Sequence, residues 1–295
     1  MSAGTWTLGD LVVNRMGFGS MRLTQKGGAF GSGAPSDRSQ AIATLRRAVE
    51  LGVNHIDTAA FYFSTLRSAN ELIGAALAPY PDDLVIVTKV GPGRDTWGEW
   101  TNAARPDQLR GQVEENLRQL GRDYLDVVNY RRQPSVSSVA EHVGALADLR
   151  DAGLIRHLGI SGVEPRHLTE ALAIAPVVCV QNAYSLADRR PESEALLHIC
   201  GEQGIAFVPF FAIAGTGRHG GPAAADPAPL TEIAHAHDAT AAQIRLAWTL
   251  HQGPHVLAIP GTGKPEHAAE NVAAGSIRLT SAELARLDAI AGVAG

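Results

Sequence analysis

Short apolar runs alternate along the whole chain with longer segments whose apolar residues recur at helical spacing. The runs at 16–19, 54–57, 84–90, 124–130, 155–160, 177–181, 205–210 and 256–259 read as strands. Such alternation is the mark of parallel strands joined by crossover helices, and eight of them predict a closed (β/α)8 barrel. Helix boundaries carry local signals. Pro106 opens one helix, Thr240 with Gln243 forms a capping box before "IRLAWTL", and Thr280 with Glu283 forms another that starts an extra C-terminal helix. Near the start, "WTLGDLVVN" alternates with period two about a turn and predicts a hairpin, placed to plug the end of the barrel away from the strand C-termini.

Connections from helix to strand are short ("LGV", "LGRDY", "AGLI", "QGIA"), whereas three that leave strands are long and rich in Gly or Pro. These run from Thr24 to Ser36, Gly91 to Arg105 and Phe211 to Pro229. In a barrel all three rise from the C-terminal face, where such folds place their chemistry. A chain of 295 residues accommodates one barrel of roughly 250 residues with extensions. No short-period repeat or low-complexity tail divides it, so 1–295 is read as one domain.

Composition narrows the function classes. With 45% hydrophobic and 19% charged residues the chain is that of a globular protein with a sizeable core. A net charge of −5 with scattered Lys and Arg offers no basic stripe, which argues against a nucleic-acid or membrane-surface partner. Cys179 and Cys200 are two isolated cysteines that read as buried small apolar side chains. The eleven histidines show no HExxH spacing, and His235 and His237 would face different sides of a helix, so no metal is expected. The start lacks a signal-peptide pattern and no apolar stretch approaches ~20 residues, which predicts a cytoplasmic protein.

Asp57 closes one apolar strand, Tyr62 follows five residues later, and Lys89 ends the next strand. A tyrosine hydroxyl titrates near ~10, and a neighbouring ammonium favours its phenolate. Tyr62 beside Lys89 is therefore expected to act as a general acid nearer neutral pH, with Asp57 holding Lys89 charged. Taken singly each has a plain alternative: a helix cap, a packing ring, a solvated lysine.

The strings that carry these residues, "GVNHIDTAAFYFS" and "DLVIVTKVGPG", resemble the aldo-keto reductase superfamily. The resemblance runs from about Trp6 to the end, through "RMGFGSM", "GISG", "VQNAYSL" and "IPGTGKPEHAAEN". "YLDVVNYR" and "FVPFF" look most like the bacterial pyridoxal reductase branch. What the resemblance implies is a (β/α)8 TIM barrel that transfers hydride from a nicotinamide cofactor to a small-molecule carbonyl, with an Asp, Tyr, Lys and His tetrad. Asp57, Tyr62 and Lys89 supply three members. Arg131 stands where most members have the histidine. It cannot relay a proton at neutral pH, but its donors can bind a developing alkoxide; the alternatives are that it faces solvent or pairs with an acid.

The same resemblance assigns cofactor contacts to Gly19, Ser20, Met21 and Asp57, the carboxamide to Ser161 and Gln181, and stacking on the nicotinamide to Phe210. Gly162 departs from the family's usual asparagine. After the last strand, loop amides and the start of a helix near Pro265 form a site for an anion. Thr262, Lys264 and His267 are expected around the 2′-phosphate of NADPH, with Glu270 and Asn271 toward the adenine and Gly261 among the other cofactor contacts; the family more often has Lys-Ser and Arg where this chain has Gly261, Thr262 and His267. Lys264 favours NADPH over NADH. No Gly-x-Gly-x-x-Gly follows a strand, which disfavours a doubly wound dehydrogenase. Met21, Phe61, Trp97 and Trp100 are expected to wall a substrate pocket suited to a planar or aromatic aldehyde, the alternative being that both tryptophans pack their own loop; the branch resemblance alone adds pyridoxal as a candidate. Two other readings stay open: a cofactor-sensing subunit with slow turnover, and a reductase of an imine or enone intermediate.

Overall fold

The computed structural model describes residues 3–26, 33–213 and 226–291; the middle parts of the loops expected at Thr24–Ser36 and Phe211–Pro229 lie outside these residues. The first element is the expected hairpin, β1 (Thr5–Leu8) antiparallel to β2 (Leu11–Asn14). The main sheet follows with β3 (Phe18–Gly19) and β4 (His55–Asp57); a small antiparallel pair, β5 (Phe63–Ser64) and β6 (Arg67–Ser68), stands apart from it. The sheet continues through β7 (Val85–Val90), β8 (Leu125–Arg131), β9 (Ile155–Ser161), β10 (Val177–Gln181) and β11 (Ala206–Phe207). Its seven strands are parallel in the order β11-β10-β9-β8-β7-β4-β3.

The expected strand at 256–259 is not a regular strand. Val256 makes a single parallel bridge to Phe207 and Ala258 another to Met16, so this segment joins β11 to the chain entering β3 and closes the ring. Gly17 N donates to Ala258 O at 2.8 Å, Leu257 N donates to Phe207 O at 2.9 Å, and Gly19 N donates to Pro260 O at 3.2 Å. Pro260 has no N–H to return, which ends the ladder there.

Helices cover the outside: α1 (Arg38–Glu50), α2 (Ala69–Leu77), α3 (Leu109–Leu120), α4 (Ala140–Asp151), α5 (Pro165–Leu172), α6 (Pro191–Gln203), α7 (Ala228–Ala236), α8 (Ala241–His251), α9 (Pro265–Ala273) and α10 (Ser281–Ala291). The capping boxes act as read. Gln243 N donates to Thr240 Oγ1 and Thr240 N to Gln243 Oε1; Thr280 and Glu283 repeat the exchange at α10, which packs on α7. Among the described residues no helix is long and apolar enough to cross a membrane, and no group of three His, Cys, Asp or Glu could hold a metal. Both cysteines are free and buried.

Successive strand residues face opposite sides, which is why these strands are apolar throughout. Val85, Val87, Val127, Cys179, Val208 and Leu257 fill the barrel interior with Leu8 and Val13 of the hairpin. Ile86, Val128, Ile160, Val180 and Phe207 face the helices. The hairpin is therefore a plug, and it is bolted in place. Asp10 at its turn accepts hydrogen bonds from Arg156 and His157, both at 2.6 Å, and Asn14 N donates to Asn54 Oδ1 at 2.7 Å. Just beyond it Arg15 donates to the carbonyls of Ala3, Leu250, Gly253 and Val256.

His55 opens β4 and is fully buried; burial pushes its pKa down from 6.5 to about 4. The unfolded chain binds a proton here more readily than the native one, so stability falls as pH drops through this interval. Between about pH 7 and pH 4 this group is expected to remove about 3 kcal/mol. Urea unfolding of His55→Asn at both pH values should show an acid penalty smaller by that amount; an unchanged penalty would place the sensitivity elsewhere.

Candidate active site

Asp57 ends β4 and Lys89 lies near the end of the neighbouring β7, so both side chains emerge at the C-terminal mouth of the barrel. Lys89 Nζ donates to both Asp57 oxygens at 2.7 Å and to Thr58 O at 3.1 Å, with the lysine side chain 2% exposed. Gln181 Nε2 adds a bond to Asp57 Oδ1 at 2.9 Å, and Asn129 donates to Gln181 Oε1 at 3.4 Å. Behind Lys89, the Thr58 hydroxyl donates to Asn70, whose amide donates to Asn116 and Gln119. A buried ammonium is tolerable only with such partners. Burial works against its charge, yet Asp57 and Tyr62 outweigh it and hold the Lys89 pKa above its ordinary value.

Tyr62 is buried beside this pair, its ring centroid 4.9 Å from Lys89 Nζ and edge-on to Phe61 at 5.1 Å. One expectation needs correcting here. Lys89 and Arg131 do favour the phenolate, but desolvation is the larger effect and leaves the Tyr62 pKa raised rather than lowered. Tyr62 is thus a protonated phenol throughout the neutral range.

Arg131, at the end of β8, lines the cavity rather than facing away from it. Its Nη1 donates to Ser161 Oγ at 3.0 Å and its guanidinium carbon sits 4.9 Å from the Phe210 ring centroid. Among the described residues it pairs with no carboxylate. The cavity, of about 400 Å³, is also walled by Gly19, Met21, Asp57, Phe61, Tyr62, Lys89, Trp100, Gln181 and Phe210. Ser161 is fully buried behind Arg131 and keeps its own hydroxyl proton to donate. Gly162 has φ +68°, a left-handed conformation that glycine takes freely and asparagine tolerates better than most, so the exchange preserves the turn.

A second cavity of about 520 Å³ shares Arg22 and Gly261 with the first and is lined by Lys26, Thr262, Lys264 and His267, with Asp37, the cap of α1, as its one carboxylate among the described residues. Thr262 Oγ1 accepts from Lys264 N at 3.2 Å, turning the loop into α9. The floor between the cavities is a close backbone contact: a Cβ on Gly19 would meet Ile259 O at 2.6 Å, and one on Gly261 would meet Gly19 O at 2.6 Å. Ser20 is fully buried beside it and its hydroxyl bonds to no described residue. A groove with a side-chain-free floor, flat apolar rings at one end and cations at the other fits a nicotinamide dinucleotide. Glu270 and Asn271, expected near an adenine, lie farther along α9 and line neither cavity. Arg22 escaped the sequence reading, although a cation three residues past the glycine that ends a strand was the available signal.

Trp97 and Trp100 part company. Trp100 lines the first cavity and packs edge-on against Phe61 at 5.8 Å. Trp97 is 87% exposed and lines neither cavity, contrary to expectation. The cause is the local turn. Asp95 Oδ1 accepts from the amides of Trp97 and Glu99, and Arg94 pairs with Trp100 by an antiparallel bridge, so residue 97 occupies the tip of the loop and residue 100 its base. Arg94 ties that base down by donating to the Phe61 and Phe63 carbonyls.

Residues 15–291 match the model of the aldo/keto reductase family. The chain is 42% identical over 296 residues to a pyridoxine 4-dehydrogenase of Escherichia coli strain K12, covering 98% of this chain and 99% of that one. In structure it resembles the thermostable aldo-keto reductase Tm1743 in complex with the inhibitor epalrestat, with TM-score 0.81 and 32% identity over 97% of this chain and 99% of that one. It also resembles an aldo/keto reductase from Klebsiella pneumoniae in complex with NADP and acetate, with TM-score 0.76 and 29% identity over 95% and 92% of the two chains.

Proposed function

The chain belongs to the aldo/keto reductase family, and from that premise we propose an NADPH-dependent reductase of aromatic aldehydes, with pyridoxal the first candidate. The observation that carries this reading is the juxtaposition of a buried Tyr62, Lys89 and Asp57 with a flat-walled cavity that leads, past Arg22 and Gly261, into a cation-lined one.

Bound NADPH supplies the hydride for the carbonyl carbon. As the carbonyl π pair moves onto oxygen, Tyr62 Oη gives its proton there and the alcohol results. Lys89, held charged by Asp57, stabilises the phenolate left behind, which solvent reprotonates. Arg131 donates to the same oxygen while negative charge builds on it, taking the electrostatic part of the missing histidine. Phe61, Trp100 and Phe210 give the reacting centre flat apolar walls.

Loss of reduced-nicotinamide absorbance on adding an aldehyde panel that includes pyridoxal, alongside a fluorescence titration of NADPH, tests the reading. Turnover of aromatic aldehydes is expected; tight NADPH binding with no turnover would defeat it. Lys264, exposed at the start of α9, favours the 2′-phosphate. Lys264→Gln should weaken NADPH about five- to tenfold and leave NADH within about twofold, as fits one exposed charge contact.

A further inference from the structure

Tyr62 stands in the short turn between β4 and β5. Its N donates to Ala59 O at 3.0 Å, and its carbonyl accepts from Ala69 N, at the start of α2, at 2.9 Å. The residues on either side of it are held from another part of the chain. Arg94 Nη1 donates to Phe61 O at 3.3 Å and to Phe63 O at 2.7 Å, so one nitrogen brackets the proton donor. Arg94 Nε meanwhile donates to Gly98 O at 2.8 Å, and the guanidinium carbon lies 4.5 Å from the Phe63 ring centroid and 5.7 Å from that of Trp100. Gly98 has φ +86°, and a Cβ there would meet Arg94 Nη2 at 2.7 Å, so the loop closes tightly round the guanidinium.

Arg94 lines neither the first cavity nor the second. It nonetheless joins the loop that carries Trp100 to the backbone on both sides of Tyr62. Phe61 completes the link, packing edge-on against the Tyr62 ring at 5.1 Å and against Trp100 at 5.8 Å. We propose that Arg94 is a positioning residue that aims the Tyr62 hydroxyl at Lys89 and the substrate oxygen, and that ties this aim to the seating of the Trp100 loop. The proposal rests on the reductase reading and adds to it a residue that acts through Tyr62. Fixing the carbonyls before and after a residue leaves its ring only the side-chain torsions to settle, and a proton donor misplaced by about an ångström loses rate by about a hundredfold with the rest of the site intact.

The test compares Arg94→Met, which keeps an unbranched apolar stem and removes every donor, with Arg94→Lys, which keeps one nitrogen, the number that serves both carbonyls. With benzaldehyde and NADPH, Arg94→Met should lower kcat by about thirtyfold or more while NADPH affinity stays within about twofold of wild type, and Arg94→Lys should recover to within about fivefold. In a Tyr62→Phe background the same Arg94→Met change should cost less than about threefold further, since a residue that acts through Tyr62 then has no hydroxyl to aim. An equal loss in both backgrounds, or a loss that Arg94→Lys leaves unrelieved, overturns the proposal. NMR of protein isotope-labelled at tyrosine Cζ gives a readout that needs no turnover. Of the five tyrosine signals, the one that disappears in Tyr62→Phe should move in Arg94→Met and return in Arg94→Lys; a signal that stays in place in Arg94→Met overturns the proposal. Absence of turnover in wild type with every aldehyde would instead defeat the reductase reading, and the tyrosine signal would still decide on Arg94.

Discussion

Tyr62→Phe is expected to lower carbonyl reduction by at least about a thousandfold while NADPH binding stays within about twofold of wild type. The substitution removes one oxygen and keeps the ring that packs against Phe61 and under Lys89, so the fold has little reason to change. What is lost is the proton donor. Because burial raises the Tyr62 pKa above 10.0, the acid form persists through the neutral range. With wild type, kcat/KM for reduction should therefore stay flat with respect to this group from about pH 6 to 9 and fall only above about pH 10. Oxidation of the alcohol needs the phenolate and should rise over the range in which reduction falls. Steady-state rates across pH, with cofactor titration of the variant, check both statements. Loss of turnover and of NADPH binding together would mark Tyr62 as a structural residue instead.

Asp57→Leu should cost about 3–5 kcal/mol of stability, because it strands the Lys89 ammonium at 2% exposure. Thr58 O would remain as an acceptor, and Gln181 Nε2 would lose its own partner as well. Asp57→Leu combined with Lys89→Met replaces both ions with apolar groups and should regain most of the loss, while remaining inactive. Urea unfolding of the two variants separates these outcomes. A cost below about 1 kcal/mol for Asp57→Leu would mean that water reaches Lys89 and that the pair is not buried in solution.

The architecture was readable because a parallel strand buried on both faces leaves a continuous apolar run, and seven of the eight runs hold strands, β3 and β11 shorter than expected. The closing segment was readable as apolar but not as irregular, since ring closure there depends on which carbonyls Gly17 and Leu257 can reach. The β5–β6 pair was missed, because "FSTLRS" is short, polar and without a turn signature. At the site, the neighbourhood of Asp57 and Lys89 followed from strand order alone. The acidity of Tyr62 did not, because spacing shows which charge is near and not how much water is excluded. Trp97 and Trp100 differ by three residues on one loop, and only the turn built on Asp95 decides which of them faces the cavity. Arg131 illustrates the same limit: the chain places it at the strand end, while its choice between cavity and solvent depends on Ser161 and Phe210.

The bolts on the hairpin also govern the order in which the molecule can assemble. Arg15 holds carbonyls at 250, 253 and 256, contacts that span 235, 238 and 241 residues of chain. Contacts so distant in sequence gain nothing until a very long loop has been closed. As the chain leaves the ribosome, the hairpin is made first, can meet Asn54 and then Arg156 and His157 as they emerge, and is locked by Arg15 last, beside a growing, open sheet whose edges stay exposed until Val256 arrives to join them.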